Sequence, residues 1–303
     1  MLKSKITKPM LAGKAPDDLS DVNYPVMASP KLDGIRCLMI DGKALTRTFK
    51  PIPNDYVREW LEANVPDGLD GELMPRDESV PFKDFSGSVR RKTGEPDFIF
   101  MVFDFVGDDL TEPFRTRFEL LTRWRNDAQD VGPRLHVVPH YVMMNEEELR
   151  TLHINNCASG FEGTMIRDPE GPYKCGRATT KAGQLLKVKD FADEEAVCIA
   201  VEELMHNDNE ADKDAFGRTK RSAHKENKRA AGTMGALRMK FHDGTEFSVG
   251  TGFTAAERQE IWDSVPWPIG QIATIKHQPD PGGRQEGQAP RFPVFVAWRP
   301  DGI

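Results

Sequence analysis

The chain has 303 residues, 38% hydrophobic and 29% charged, and 41 Lys and Arg against 48 Asp and Glu give a formal charge of −7. That length suits two domains, each with a core of its own, and the negative sum excludes a globally basic nucleic-acid coat while leaving room for a local basic face. No run has the apolar length of a membrane span, Met1-Leu2-Lys3-Ser4-Lys5 lacks a signal-peptide core, and Cys37, Cys157, Cys175 and Cys198 are dispersed without zinc spacing; a cytoplasmic protein with reduced thiols and no membrane partner is expected.

In chain order, Ser29-Pro30-Lys31-Leu32-Asp33-Gly34-Ile35-Arg36 comes first, a lysine just before an Asp-Gly pair. A free lysine amine has a pKa near 10.4, so only about 0.1% is neutral near pH 7.4, and a nucleophilic Lys31 needs cations or a metal nearby. Ile35 to Ile40 and Ala44 to Phe49 flank Asp41-Gly42, which suits a type I′ turn and predicts a hairpin. Asn54 opens a helix with Val57, Trp60 and Leu61 at helical spacing; Gly68 to Leu73 reads as a short strand and Phe98 to Asp104 as a buried one. Thr116-Arg-Phe-Glu119 has capping-box spacing and predicts the start of a helix carrying Phe118, Leu121 and Trp124. Asn145 to Glu148 opens another helix, which ends near Gly160.

Past Asp190 the texture changes. Glu195 to Leu204 alternates as a strand, and Leu237 to Val249 predicts a hairpin about Asp243-Gly244. Thr254-Ala-Ala-Glu257 caps a helix with Ile261 and Val265 on one face, and strands follow at Gln271 to His277 and Phe292 to Trp298. A small β-barrel with one helix is the expected second domain, residues 191–303 after a first domain of 1–190. The polar stretch 213–229 carries Lys213, Arg218, Lys220, Arg221, Lys225, Lys228 and Arg229 and predicts a mobile surface loop.

Six short runs carry the chemistry. They are Lys31-x-Asp33-Gly34-x-Arg36, Thr46-Arg47, Asp70-Gly71-Glu72-Leu73, Phe100-Met-Val-Phe103-Asp104, Glu162-Gly163-Thr164-Met165-Ile166-Arg167 and Leu185-Leu-Lys187-Val-Lys189. In this order they resemble the motif set of the covalent nucleotidyltransferases, the superfamily of ATP-dependent DNA ligases, RNA ligases and mRNA capping enzymes. The resemblance implies an α+β protein: an ATP-grasp-like nucleotidyltransferase (adenylation) domain of antiparallel sheets with helices, then a C-terminal OB-fold β-barrel. It also implies that Lys31 takes AMP, that Pro30 and Leu32 flank the nucleotide, that Glu72 binds ribose and that Phe103 stacks on adenine. Glu162, with Glu72, would hold Mg2+ or Mn2+. Charge chemistry agrees, because a triphosphate and its leaving pyrophosphate call for Arg36, Arg47, Lys187 and Lys189, the last two sharing a strand face by their i, i+2 spacing. Hard carboxylate oxygens suit a divalent cation.

Tyr173-Lys174-Cys175-Gly176-Arg177, Gly232 to Leu237 and Phe247 to Phe253 are similar to the small phage-type ATP-dependent DNA ligases, and an added N-terminal DNA-binding domain is not expected. The family's last motif, Arg-x-Asp-Lys, meets Arg299-Pro300-Asp301-Gly302 here, without the lysine; Arg291 is a second basic candidate. What the resemblance implies is a monomeric enzyme of bacterial or phage-infected cytoplasm that uses ATP to seal nicked double-stranded DNA. Arg177 and the basic stretch would touch the duplex, positioning without reading sequence. The second domain would swing about a hinge at Asp190 to Asp193. An RNA ligase or a capping guanylyltransferase is the alternative within the superfamily, and a non-catalytic nucleic-acid-binding OB protein the alternative outside it.

Overall fold

The structure is a computed structural model that describes residues 5–215, 217, 219–221, 227–279 and 286–299. The chain divides into two compact units, Met1–Val188 with Lys213–Arg218, and Lys189–Asp212 with Thr219–Ile303. Among the described residues no helix is long and apolar enough to cross a membrane.

The first unit is built on two five-stranded sheets. One runs in the order Lys43–Thr46, Ile35–Ile40, Leu69–Pro75, Phe98–Phe105, Leu135–Val137, antiparallel except for its last pair. The hairpin forms as its sequence predicts, with Asp41 and Gly42 both at positive φ. Its second strand, however, stops at Thr46: Phe49 takes φ 59° and its N–H donates to Thr46 O (2.9 Å), so Arg47 sits in a tight turn rather than in a strand. The inward residues of these strands bury Cys37, Leu73, Phe98, Phe100 and Val102 against the helix Asp55–Asn64, which Asn54 caps by accepting from Val57 N at 3.0 Å.

The other sheet runs Gly13–Lys14, Leu185–Val188, Thr164–Arg167, Val26–Pro30, Tyr141–Met143, and the helix Glu146–Ala158 packs its Leu149 into that sheet's core. A third cluster, with Leu38, Ile40, Tyr173 and Leu185, joins the two layers.

The helix expected to open at Thr116 begins instead at Phe114, after Pro113 and with no side-chain cap. Its first free amides are met by a passing loop: Phe114 N donates to Gly171 O (3.0 Å) and Arg115 N to Pro169 O (2.9 Å), so the Thr116–Glu119 spacing has no capping role.

The second unit is a five-stranded antiparallel sheet in the order Glu246–Val249, Lys228–Phe241, Ala192–Asn207, Ile272–Gln278, Arg291–Trp298, with the helix Ala255–Asp263 opened by a full Thr254–Glu257 capping box. Val265 is not on that helix. The residue before a proline avoids the helical region, and Val265 lies 95% exposed beyond the helix end. Nor is the basic stretch a single loop. Thr219–Arg221 pairs with Ala211–Lys213, and Lys228 and Arg229 begin a long strand opposite Asn207 and His206. Arg218 and Lys225 lie outside the described residues, as does the side chain of Lys220.

Candidate active site

Strand register brings the first charges together. Arg36 pairs with Glu72 across neighbouring strands, and Asp70, two residues from Glu72, shares its face. The Asp70 carboxylate accepts both Nε and Nη2 of Arg36, the latter at 2.6 Å, and also the Tyr173 hydroxyl at 3.1 Å. Burial works against the Arg36 charge, but Asp70 outweighs it and holds the guanidinium above its ordinary pKa.

Lys31 follows directly on the strand Val26–Pro30. Its N–H donates to Gly163 O (2.9 Å) while Glu162 N donates to Lys31 O (3.1 Å), a reciprocal clip that sets the Lys31 and Glu162 backbones side by side. The Lys31 ammonium forms an ion pair with Glu162 Oε2. Gly34 serves this packing rather than a turn: a Cβ there would lie 2.5 Å from Glu72 Cγ and 2.6 Å from Leu73 O.

Between the two sheets opens a cavity of about 240 Å³. Pro30, Lys31, Leu32, Arg36, Arg47 and Glu72 line it, all six expected from the sequence. Phe103 and Lys187 line it as well, and so does Arg177, read from the sequence as a DNA contact. Phe103 reaches it by strand alternation, since Phe98, Phe100, Val102 and Asp104 point inward and Phe103 points to the other face. Two cations sit over its ring, Arg36 at 4.7 Å and Arg167 at 5.5 Å from the centroid. Glu72 is an incompletely compensated acid. Burial, with Asp70 and Asp33 nearby, outweighs Arg36 and Lys31 and pushes its carboxyl up to about 7. Such a carboxylate is the donor chemistry a hard divalent cation relieves, and Glu162 offers a second on the Lys31 ammonium.

Lys187 and Lys189 part company. The strand ends at Val188, and Lys189 belongs to the second unit, where its ammonium donates to Gln278 Oε1 (3.2 Å). The last-motif candidates are in the second unit too: Arg299 bonds Glu195 (Nε to Oε1, 2.8 Å), Arg291 begins a strand, and Asp301 is outside the described residues. Of the basic stretch, Arg229 faces Asp208 at 3.4 Å, Arg221 donates to Asn209 O, and Lys213 gives its carbonyl to the Lys50 ammonium at 2.8 Å. Lys228 is exposed.

Several residues of the site, some of them inside the motif runs, are given no role by the sequence. Asp104 is fully buried between Arg117 (Nε to Oδ1, 2.8 Å) and Arg167 (Nη1 to Oδ2, 3.0 Å), forming a platform behind Phe103. Burial raises the Asp104 carboxyl, yet the two guanidinium groups outweigh it and hold it below its ordinary range. An acid ending a run of aromatic residues was the available signal. His140 also lines the cavity; burial pushes its imidazole down to about 3. In addition, the hydroxyls of Thr46 (2.6 Å) and Thr48 (2.7 Å), either side of Arg47, donate to Ala215 O.

Residues 9–189 match the model of the ATP dependent DNA ligase domain, and residues 227–299 that of the DNA ligase OB-like domain. The chain is 32% identical to the DNA ligase-adenylate of Chlorella virus, with a TM-score of 0.57 over 97% of this chain and all of that one. A minimal-scaffold Lig E DNA ligase superposes with a TM-score of 0.71 at 26% identity, over 97% of this chain and 100% of its own. The DNA ligase of African swine fever virus (isolate Warthog/Namibia/Wart80/1980) is 30% identical over 181 residues, 56% of this chain but only 42% of the viral protein. The chain thus spans less than half the length of that curated relative. With the match covering both units and the lysine, arginine, carboxylate and phenylalanine of the motifs meeting in one cavity, the chain belongs to the ATP-dependent DNA ligase family.

Proposed function

We propose that the protein seals 5′-phosphate/3′-hydroxyl nicks in duplex DNA with ATP as the AMP donor, through a covalent AMP on Lys31. The observation that carries this reading is the Lys31 ammonium, paired with Glu162 at a cavity that Arg36, Arg47, Glu72, Phe103 and Lys187 also line. In the first step the neutral Lys31 amine attacks the α-phosphorus; a P–N bond forms, the bond to the bridging oxygen breaks, and pyrophosphate leaves. Glu162, in contact with the amine, is placed to take its proton. Arg47 and Lys187 offset the charge that gathers on the phosphoryl oxygens, and Glu72 faces the sugar. Glu162 and Glu72 would hold a magnesium or manganese ion, which supplies Lewis-acid chemistry to the phosphates. In the second step the 5′-phosphate at a nick attacks the same phosphorus and releases Lys31. The adjacent 3′-hydroxyl then attacks the 5′-phosphorus, and AMP leaves as the phosphodiester closes.

The test is incubation with α-labelled ATP or GTP, followed by challenge with nicked DNA and nicked RNA. Covalent labelling by ATP, transfer to nicked DNA and sealing are expected of the wild type, and none of the three of Lys31→Ala. A Lys31→Ala protein that still carries label or still seals would sink the mechanism. Preferential labelling by GTP would point to the capping alternative, and sealing confined to RNA to an RNA ligase.

A further inference from the structure

We propose that His140 is the residue that selects adenine, by accepting a hydrogen bond from its exocyclic 6-amino group; the inference rests on the reading that the cavity takes ATP. Three observations carry it. First, place: Ala28 pairs with Tyr141 at the end of the sheet, so His140 is one residue further along, beside the chain that leads through Ser29 and Pro30 to Lys31, and it lines the cavity with Phe103. Second, tautomer: Nδ1 lies 2.9 Å from Val138 O, and a carbonyl accepts only, so Nδ1 must carry the proton and Nε2 must be a bare lone pair. Third, need: Nε2 is buried and has no hydrogen-bond partner among the described residues. A buried polar atom without a partner costs free energy, and it is tolerated where a ligand completes it.

The ring is not free to seek another partner. Phe114 and Phe118 hold it at centroid distances of 5.2 and 4.6 Å, and a cationic imidazole is excluded by burial and by Arg167. A fixed acceptor in the wall of a base pocket distinguishes purines by what they present at C6. Adenine presents an amine and donates. Guanine presents a carbonyl oxygen, so two acceptors would face each other and both would be left unpaired. Removing this lone pair therefore lowers the use of ATP and narrows the gap to GTP.

The test measures kcat/KM for covalent labelling of the protein by ATP, GTP and purine riboside triphosphate, which has hydrogen in place of the 6-amino group. Wild type is expected to prefer ATP to the purine analogue by about 10- to 100-fold, the range for a buried acceptor left without its donor. His140→Leu should lose about that factor with ATP, keep its rate with the purine analogue, and accept GTP better relative to ATP. His140→Gln, whose side-chain oxygen accepts, should recover part of the preference. Equal use of ATP and the purine analogue by wild type overturns the proposal whether or not the variants fold, and so does a His140→Leu defect of the same size with both. No labelling of wild type by any nucleotide would overturn the ATP reading and this inference together; labelling without base preference overturns this inference alone.

Discussion

Two acids on neighbouring strands of one sheet, Asp104 and Glu72, stand on opposite sides of Phe103's role. Asp104 is sealed behind the aromatic ring with a guanidinium on each oxygen, and its carboxyl is held low. Glu72 lines the cavity, shares its nearest arginine with Asp70, and its carboxyl is pushed up to about 7. The difference separates charge that is part of the scaffold from charge left undercompensated at the cavity. The first is spent inside the fold; under the proposed function the second is the charge that substrate or cation would complete.

The largest effect should come from the scaffold side. Asp104→Ala leaves Arg117 and Arg167 buried without their acceptor and is expected to cost about 3–5 kcal/mol of stability, read from urea unfolding. A loss below about 1 kcal/mol would show that the platform is solvated and erase the contrast. Glu72→Gln should do the reverse: labelling by ATP falls by about 10-fold or more, while stability at pH 8 holds or rises. Its pH dependence follows from the sign of the shift. An unfolded Glu72 loses its proton near the ordinary 4.5, the folded one near 7, so between these values the native state binds more protons and stability falls as pH rises. That fall, up to about 3 kcal/mol from this group, should be missing in Glu72→Gln when unfolding is followed from pH 4.5 to 8. Identical slopes in both proteins would place Glu72 with the ordinary surface acids. The smallest effect belongs to exposed charge, where even the Arg229–Asp208 pair is worth little: Lys228→Ala with Arg229→Ala should leave stability within about 0.5 kcal/mol and lower the salt slope of nick binding by about 2. An unchanged slope would remove this pair from the DNA-facing surface.

How much of this is legible in the sequence depends on whether neighbours in space are also ordered by period. Arg36, Glu72 and Phe103 are legible through motif order; that strand alternation turns Phe103 outward and antiparallel pairing sets Arg36 opposite Glu72 is seen only in the fold. Asp104, Arg117 and Arg167 come from a strand, a helix and another sheet, and nothing at sequence distance shows that three charges will share one buried point. His140 is silent for the same reason, because its significance is an unpaired nitrogen rather than a motif. The Thr116–Glu119 spacing misleads since Gly171 and Pro169, some fifty residues away, already satisfy the helix start. Lys189 shows the limit of period-2 reasoning: alternation holds only while the strand lasts, and this one ends at Val188.

The residues 213–218 have a bearing on how the protein can be dissected. They are covalently inside the second unit's sequence but belong to the first, where Ala215 O receives the hydroxyls that bracket Arg47. The polypeptide therefore passes from one unit to the other three times, and ownership of the arginine's turn is shared between distant stretches of chain. Scission after Val188 would not liberate an intact catalytic half: the fragment would leave behind the splint that braces the Arg47 turn, and Thr46 and Thr48 would both lose an acceptor.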